Sequence, residues 1–97
     1  MCMLDIILAK RDDVHRLVRR YKGRSVYVFG SCARKVETPE SDIDFLVDFA
    51  PGATIFGMSG LQDELQSLFM RPVDLITEKS IKNDSFGSRV LSERVAI

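Results

Sequence analysis

Ninety-seven residues, 45% hydrophobic and 29% charged, suit one small globular domain spanning 1–97, with no length for a second core. Lys+Arg and Asp+Glu both number 14, so net charge recommends neither nucleic acid nor a membrane as partner. No apolar run approaches the roughly 20 residues a bilayer-spanning helix needs. Asp5 falls early with no small-residue cleavage site, and Cys2 and Cys32 have neither metal-binding nor disulfide-framework spacing. The cytoplasm is the expected compartment. His15 is the lone histidine and is expected at a surface or boundary, so histidine catalysis has little to rest on.

In chain order, Leu4, Ile7, Leu8, Val14, Leu17, Val18 and Tyr21 recur at helical spacing, and Gly23 is expected to cap that helix. The same quarter of the chain crowds Lys10, Arg11, Arg16, Arg19, Arg20, Lys22 and Arg24 together, which is expected to be a solvated helix face. Ser25 to Phe29 is a short β-branched and aromatic run, the mark of a buried strand, and Gly30 stops it. Gly30 to Ser41 is a loop with room for one helical turn at its start. From Asp42 to Phe49 the pattern alternates: Ile43, Phe45, Val47 and Phe49 face one way, and Asp42, Asp44, Leu46 and Asp48 the other. Pro51-Gly52 ends this second strand. Ile55 to Phe69 suits an amphipathic helix, and Val73 to Thr77 a third strand with Asp74 and Ile76 on one face. Asn83 or Asp84 is placed to cap a last helix running to Glu93, and Val95 to Ile97 suits a small edge strand. The fold class expected is α+β: a small mixed sheet with helices on its apolar face and carboxylates on the other.

The carboxylates carry the chemistry. Asp42 and Asp44, two apart on a strand, project from one face with Cα atoms roughly 7 Å apart. Asp74 on a neighbouring strand can join them. Left alone, such carboxylates repel and one takes up a proton. Divalent metal removes that penalty, and Mg²⁺ favours carboxylates completed by phosphate and water oxygens. Three carboxylates can hold the two ions that stabilise the attacking and leaving oxygens of a phosphoryl or nucleotidyl transfer. Gly30-Ser31, directly after a buried strand, offers a cradle for phosphate: glycine admits close backbone approach, and Ser31 and nearby N–H groups donate. Arg34, one turn on, can add charge-assisted hydrogen bonds. Ser41 is placed to bond backbone or nucleotide. Asp48 shares the parity of Asp42 and Asp44 but lies at the strand's far end, and is expected to be solvated.

The stretch VFGSCARKVETPESDIDFLVDF resembles the G-S-x10-D-x-D signature of the polymerase β-type nucleotidyltransferase superfamily. It is most similar to the minimal nucleotidyltransferases, the MntA-like antitoxins. RPVDLIT resembles that branch's third-carboxylate strand. Lys35 stands where the family commonly has glycine. The resemblance implies Mg²⁺, ATP or another triphosphate donor, catalytic and metal-binding roles at Asp42, Asp44 and Asp74, and roles for Gly30 and Ser31. It also implies a HEPN-fold partner, usually a toxic ribonuclease, which the small protein neutralises by attaching AMP to a tyrosine.

Little chain follows Asp74 from which to wall an acceptor pocket, so the acceptor is expected to bring its own surface. Three readings stay open. One is an AMP-transferring antitoxin that forms a complex with its toxin. Another is a non-catalytic module of the same fold that blocks its partner sterically. The last is a nucleotidyltransferase acting on RNA or a small molecule, which the basic N-terminal stretch keeps in play.

Overall fold

A computed structural model of the chain describes residues 2–36, 38 and 40–97. Met1, Glu37 and Pro39 lie outside the described residues, so the loop expected over Gly30 to Ser41 is described only in part. Where the apolar periodicity suggests one helix from Leu4 to Tyr21, the structure has two: α1 (Met3–Ala9) and α2 (Arg11–Arg20). Lys10 breaks the ladder between them at φ −106°, ψ 20°. Asp12 and Asp13 then fall in the first turn of α2 and Arg19 and Arg20 in its last, each sign at the helix end that favours it. That charge order was the available signal for a new helix start.

Gly23 does not cap α2. Lys22 takes the left-handed conformation there, at φ 68°, and Gly23 opens strand β1 (Gly23–Phe29). Gly23 serves close packing instead: a Cβ at this position would overlap Cγ1 of Val18.

One short helix, α3 (Gly30–Arg34), follows β1 directly, as the loop reading allowed. Strand β2 is Ile43–Phe49, helix α4 Ile55–Phe69 and strand β3 Val73–Thr77. The Thr54 hydroxyl caps α4 by accepting from the Gly57 N–H at 3.1 Å. A short 3₁₀ turn, Glu78–Ser80, precedes α5 (Ser85–Glu93). Asp84 proves to be the cap of α5, its Oδ1 accepting from the Gly87 N–H at 2.8 Å. Strand β4 is Val95–Ala96, one residue shorter than the expected Val95 to Ile97.

The sheet is mixed, in the order β3-β2-β1-β4. β1 runs antiparallel to β2 and to β4, while β2 and β3 are parallel, with α4 as the crossover that a parallel pair requires. Ile43, Phe45, Val47 and Phe49 lie in one cluster with Met3, Ile7, Val14, Val18, Leu61, Leu65 and Phe69. α1, α2 and α4 therefore cover the apolar face, as the alternation requires. The Phe45 and Phe69 rings meet there at 6.1 Å between centroids.

The opposite face is not bare. Leu46, fully buried, packs with Phe29 and with Val90 of α5, flanked by Tyr27, Ile76 and Ile81. The expectation that the helices pack only on the apolar face therefore needs an addition: α5 covers part of the carboxylate face. The reason is Leu46 itself. An apolar side chain among Asp42, Asp44 and Asp48 needs a lid, and α5 supplies it. No helix of the described residues is long and apolar enough to cross a membrane.

Candidate active site

Strand pairing decides where the carboxylates meet. β2 and β3 align so that Asp44 stands opposite Asp74, and β1 aligns with β2 so that Phe29, the residue before Gly30, stands opposite Asp44. Asp42 immediately precedes β2. The start of β2, the start of β3 and the end of β1 thus converge at one end of the sheet.

β3 is an edge strand, and α4 secures its start. Gln62 Nε2 donates to the Val73 carbonyl at 2.7 Å, and Gln66 Oε1 accepts from the Val73 N–H at 3.1 Å. The Ile43 N–H reaches the Pro72 carbonyl at 3.0 Å. These contacts fix Asp74 beside Asp44. No spacing in the sequence announces that Gln62 and Gln66 do this.

Asp44 is half-buried, and its carboxyl is pushed up from 3.8 to about 6, chiefly by burial, then by Asp74 and Asp42, with Arg34 pulling the other way. The three carboxylates therefore share one field. Among the described residues no three His, Cys, Asp or Glu side chains close into a ready-made metal cage. The donor set is all carboxylate oxygen, which fits a hard cation such as Mg²⁺ better than a thiolate- or imidazole-seeking metal.

Gly30 makes a close approach to the Asp44 carboxylate. Its φ is +73°, and a Cβ there would collide with Asp44 Oδ2, so glycine alone lets this turn lie against the carboxylate. Ser31 follows, half-buried in the first turn of α3. A one-turn helix brings free N–H groups to this place but little macrodipole.

Lys35 ends α3 in the left-handed conformation at φ 61°, which explains why glycine suits the position. Arg34 is occupied at one corner: Nη1 donates to Glu93 Oε2 of α5 at 2.8 Å. Glu93 had no marker in the sequence.

Ser41 bonds locally. Its Oγ accepts from the Thr38 N–H at 2.9 Å, and Arg71 Nη1 donates to the carbonyls of Thr38 and Ser41 at 3.2 and 3.3 Å. On the other side the buried Cys32 thiol donates to the Asp42 carbonyl at 3.7 Å. The segment leading into Asp42 is thereby braced from two elements, and Cys32, which spacing left without a role, is one of the braces.

Asp48 corrects its expectation. It is not simply solvated but pairs with Arg24 at 3.1 Å, at the end of β2 away from Asp42. Arg16 pairs with Asp13 and Arg20 with Glu64, so part of the basic N-terminal stretch is neutralised within the chain. His15 is half-buried at a boundary, with Nε2 2.9 Å from the Ile97 carbonyl oxygen.

Comparison with known proteins places the chain in a family. The family model for the nucleotidyltransferase domain matches residues 12–97. Protein adenylyltransferase MntA of Thermococcus cleftensis is 33% identical over 81 residues, covering 84% of this chain and 81% of that protein. A solved structure described as a proposed minimal nucleotidyltransferase superposes with a TM-score of 0.86 at 32% identity, covering 100% of this chain and 97% of the other. A chain from the complex of the tri-AMPylated Shewanella oneidensis HEPN toxin with MNT antitoxin is 22% identical, with a TM-score of 0.68 over 92% of this chain and 69% of that one. That last likeness shows the fold alone. The domain model spans all three aspartates and the Gly30-Ser31 turn, and the chain belongs to the nucleotidyltransferase domain family, among its minimal members.

Proposed function

We propose that the protein transfers AMP from ATP to a tyrosine of a HEPN-type toxin, and so acts as the antitoxin of a toxin–antitoxin pair. The observation that carries this reading is the pairing of Asp44 with Asp74 across β2 and β3, with Gly30 pressed against the Asp44 carboxylate. Clustered charge of this kind burdens a binding module and serves a metal-dependent transferase. The relatives support this acceptor: one is named a protein adenylyltransferase, and a structural neighbour comes from a complex with an AMPylated HEPN toxin.

In this reading Asp42, Asp44 and Asp74 would hold two Mg²⁺ ions. When bound, those ions neutralise the triphosphate and stabilise the attacking and leaving oxygens. The Gly30-Ser31 backbone and the Ser31 hydroxyl donate to phosphate oxygens, and Arg34 adds a charge-assisted bond. Ser41, held by Thr38, keeps the approach to Asp42 in shape. The tyrosine oxygen attacks the α-phosphorus and forms a new P–O bond as the Pα–O bond to the β-phosphate breaks; pyrophosphate leaves and the phenolic proton passes to water. α5 lies on the face where the acceptor docks, so the partner meets α5 and the carboxylates together.

RNA as acceptor loses support because Arg16, Arg20 and Arg24 face carboxylates of the same chain. The test is to purify the chain with its HEPN-type partner, add Mg²⁺ and ATP, and weigh the partner intact. A gain of whole AMP units on the partner is expected. An unchanged mass, with nucleotide bound, would count against transfer.

A further inference from the structure

Arg34 and Glu93 come from elements that the sequence separates widely, and they form the shortest ion pair among the described residues, at 2.8 Å. Both elements are built on β1. α3 leaves the end of β1 at Gly30. α5 is tied back to the same strand: Val90 packs against Phe29 and Leu46, Arg94 lies over the Tyr27 ring at 4.2 Å, and Val95 pairs with Val28. Arg94 also reaches Glu78 at 3.5 Å. Glu93 is therefore fixed from both sides. Arg34 sits at the end of a five-residue helix, followed by a strained Lys35. Glu93 is the anchor of the pair and Arg34 the group being placed.

A guanidinium carries five N–H donors, so one bond to Glu93 leaves several for another acceptor. Gly30, one helical turn before Arg34 in α3, lies against the Asp44 carboxylate, where a Cβ would collide with Oδ2. The held guanidinium thus lies one helical turn from the carboxylate face.

We propose that Glu93 is a positioning residue for nucleotide binding, fixing Arg34 at the rim of the carboxylate face with its remaining donors left for the triphosphate. The inference rests on the nucleotide-site reading above. Glu93 does not contact the nucleotide and acts through Arg34. A Glu93 that merely competed with phosphate for Arg34 would act with the opposite sign.

The test is calorimetric affinity for Mg²⁺ with AMP-PNP, a triphosphate analogue that is not turned over, measured on wild type, Glu93→Ala, Glu93→Gln, Arg34→Ala and the Glu93→Ala/Arg34→Ala double variant. Arg34→Ala is expected to weaken binding roughly tenfold, and Glu93→Ala roughly threefold to fivefold. The double variant is expected to match Arg34→Ala alone, because Glu93 has nothing left to place. Glu93→Gln, which keeps an acceptor oxygen, is expected to recover part of the loss. Tighter or unchanged binding by Glu93→Ala overturns the inference, as does an equal further loss in the Arg34→Ala background, which would mark a structural role. If Glu93→Ala alone leaves affinity unmoved while wild type binds the analogue, the nucleotide-site reading stands and only the inference fails. A wild type that binds no analogue overturns both.

Discussion

The two faces of β2 are made by neighbouring residues and do opposite work. Ile43, Phe45 and Val47 are wholly buried against α1, α2 and α4. One residue away in each case, the other face carries Asp44 and Asp48 with the buried Leu46 between them, and α5 covers only part of it. The first face stabilises the fold by removing apolar area from water. The second gives up some of that stability to keep Asp44 half-buried beside two other carboxylates. The parity of a strand thus separates stability from chemistry, and a slip of one residue would exchange them.

The comparison is most sharply broken from the apolar side. Phe45→Ala should destabilise the chain by about 3–5 kcal/mol, a large share of the roughly 5–15 kcal/mol that holds a domain of this kind. Urea unfolding would show it as a lower midpoint with little change in slope.

At the chemical face, Gly30→Ala should cost about 1–3 kcal/mol for a side chain at positive φ and displace the Asp44 carboxylate. Transfer should fall far more than stability does. Wild-type turnover in this variant would reduce Gly30-Ser31 to an ordinary turn.

The pH dependence reports the cost of the carboxylate face directly. The folded Asp44 carboxyl titrates at about 6 against 3.8 for the free side chain, so the folded state holds this proton more tightly than the unfolded one. The contribution of Asp44 is therefore most favourable below about pH 4 and is lost as pH rises to about 6. Because solvent reaches this side chain, the change should be on the order of 1 kcal/mol. In Asp44→Asn that slope should disappear while the fold survives, and stability curves from pH 3 to 8 for both chains would show whether it does.

The smallest effect lies in the loop between the faces. Lys35→Gly should stabilise by about 0.5–1 kcal/mol by relieving the left-handed conformation. A lower melting temperature would mean that the Lys35 side chain contributes more than its strain costs.

The sequence shows the parts of this molecule that local pattern controls. The alternation from Asp42 to Phe49, the span Ile55 to Phe69 and the strand Val73 to Thr77 follow from period and side-chain chemistry; the strand starts one residue later, at Ile43, and of the two expected caps, Asn83 or Asp84, Asp84 is the one used. Asp44 and Asp74 share a face because parity is a local property of each strand. What escaped notice depends on residues far apart in the chain. The packing of Gly23 against Val18, the cover of α5 over Leu46, the pairing of Asp48 with Arg24 and of Arg34 with Glu93 exist only once β1, β2 and α5 are assembled. The break at Lys10 is different. Asp12-Asp13 announced it locally, and the continuous apolar stripe obscured it.

The central claim is that the carboxylate face works by chemistry and not by occlusion. The most direct measurement uses the Asp42→Asn/Asp44→Asn double variant, co-expressed with the HEPN-type toxin, with growth, intact toxin mass and a pull-down read together. The fold and the docking should survive, because neutral amides relieve repulsion among these side chains. The toxin should stay unmodified and growth should be lost. Full protection by a variant that docks but transfers no nucleotide would contradict the account and make steric blocking the function of this protein.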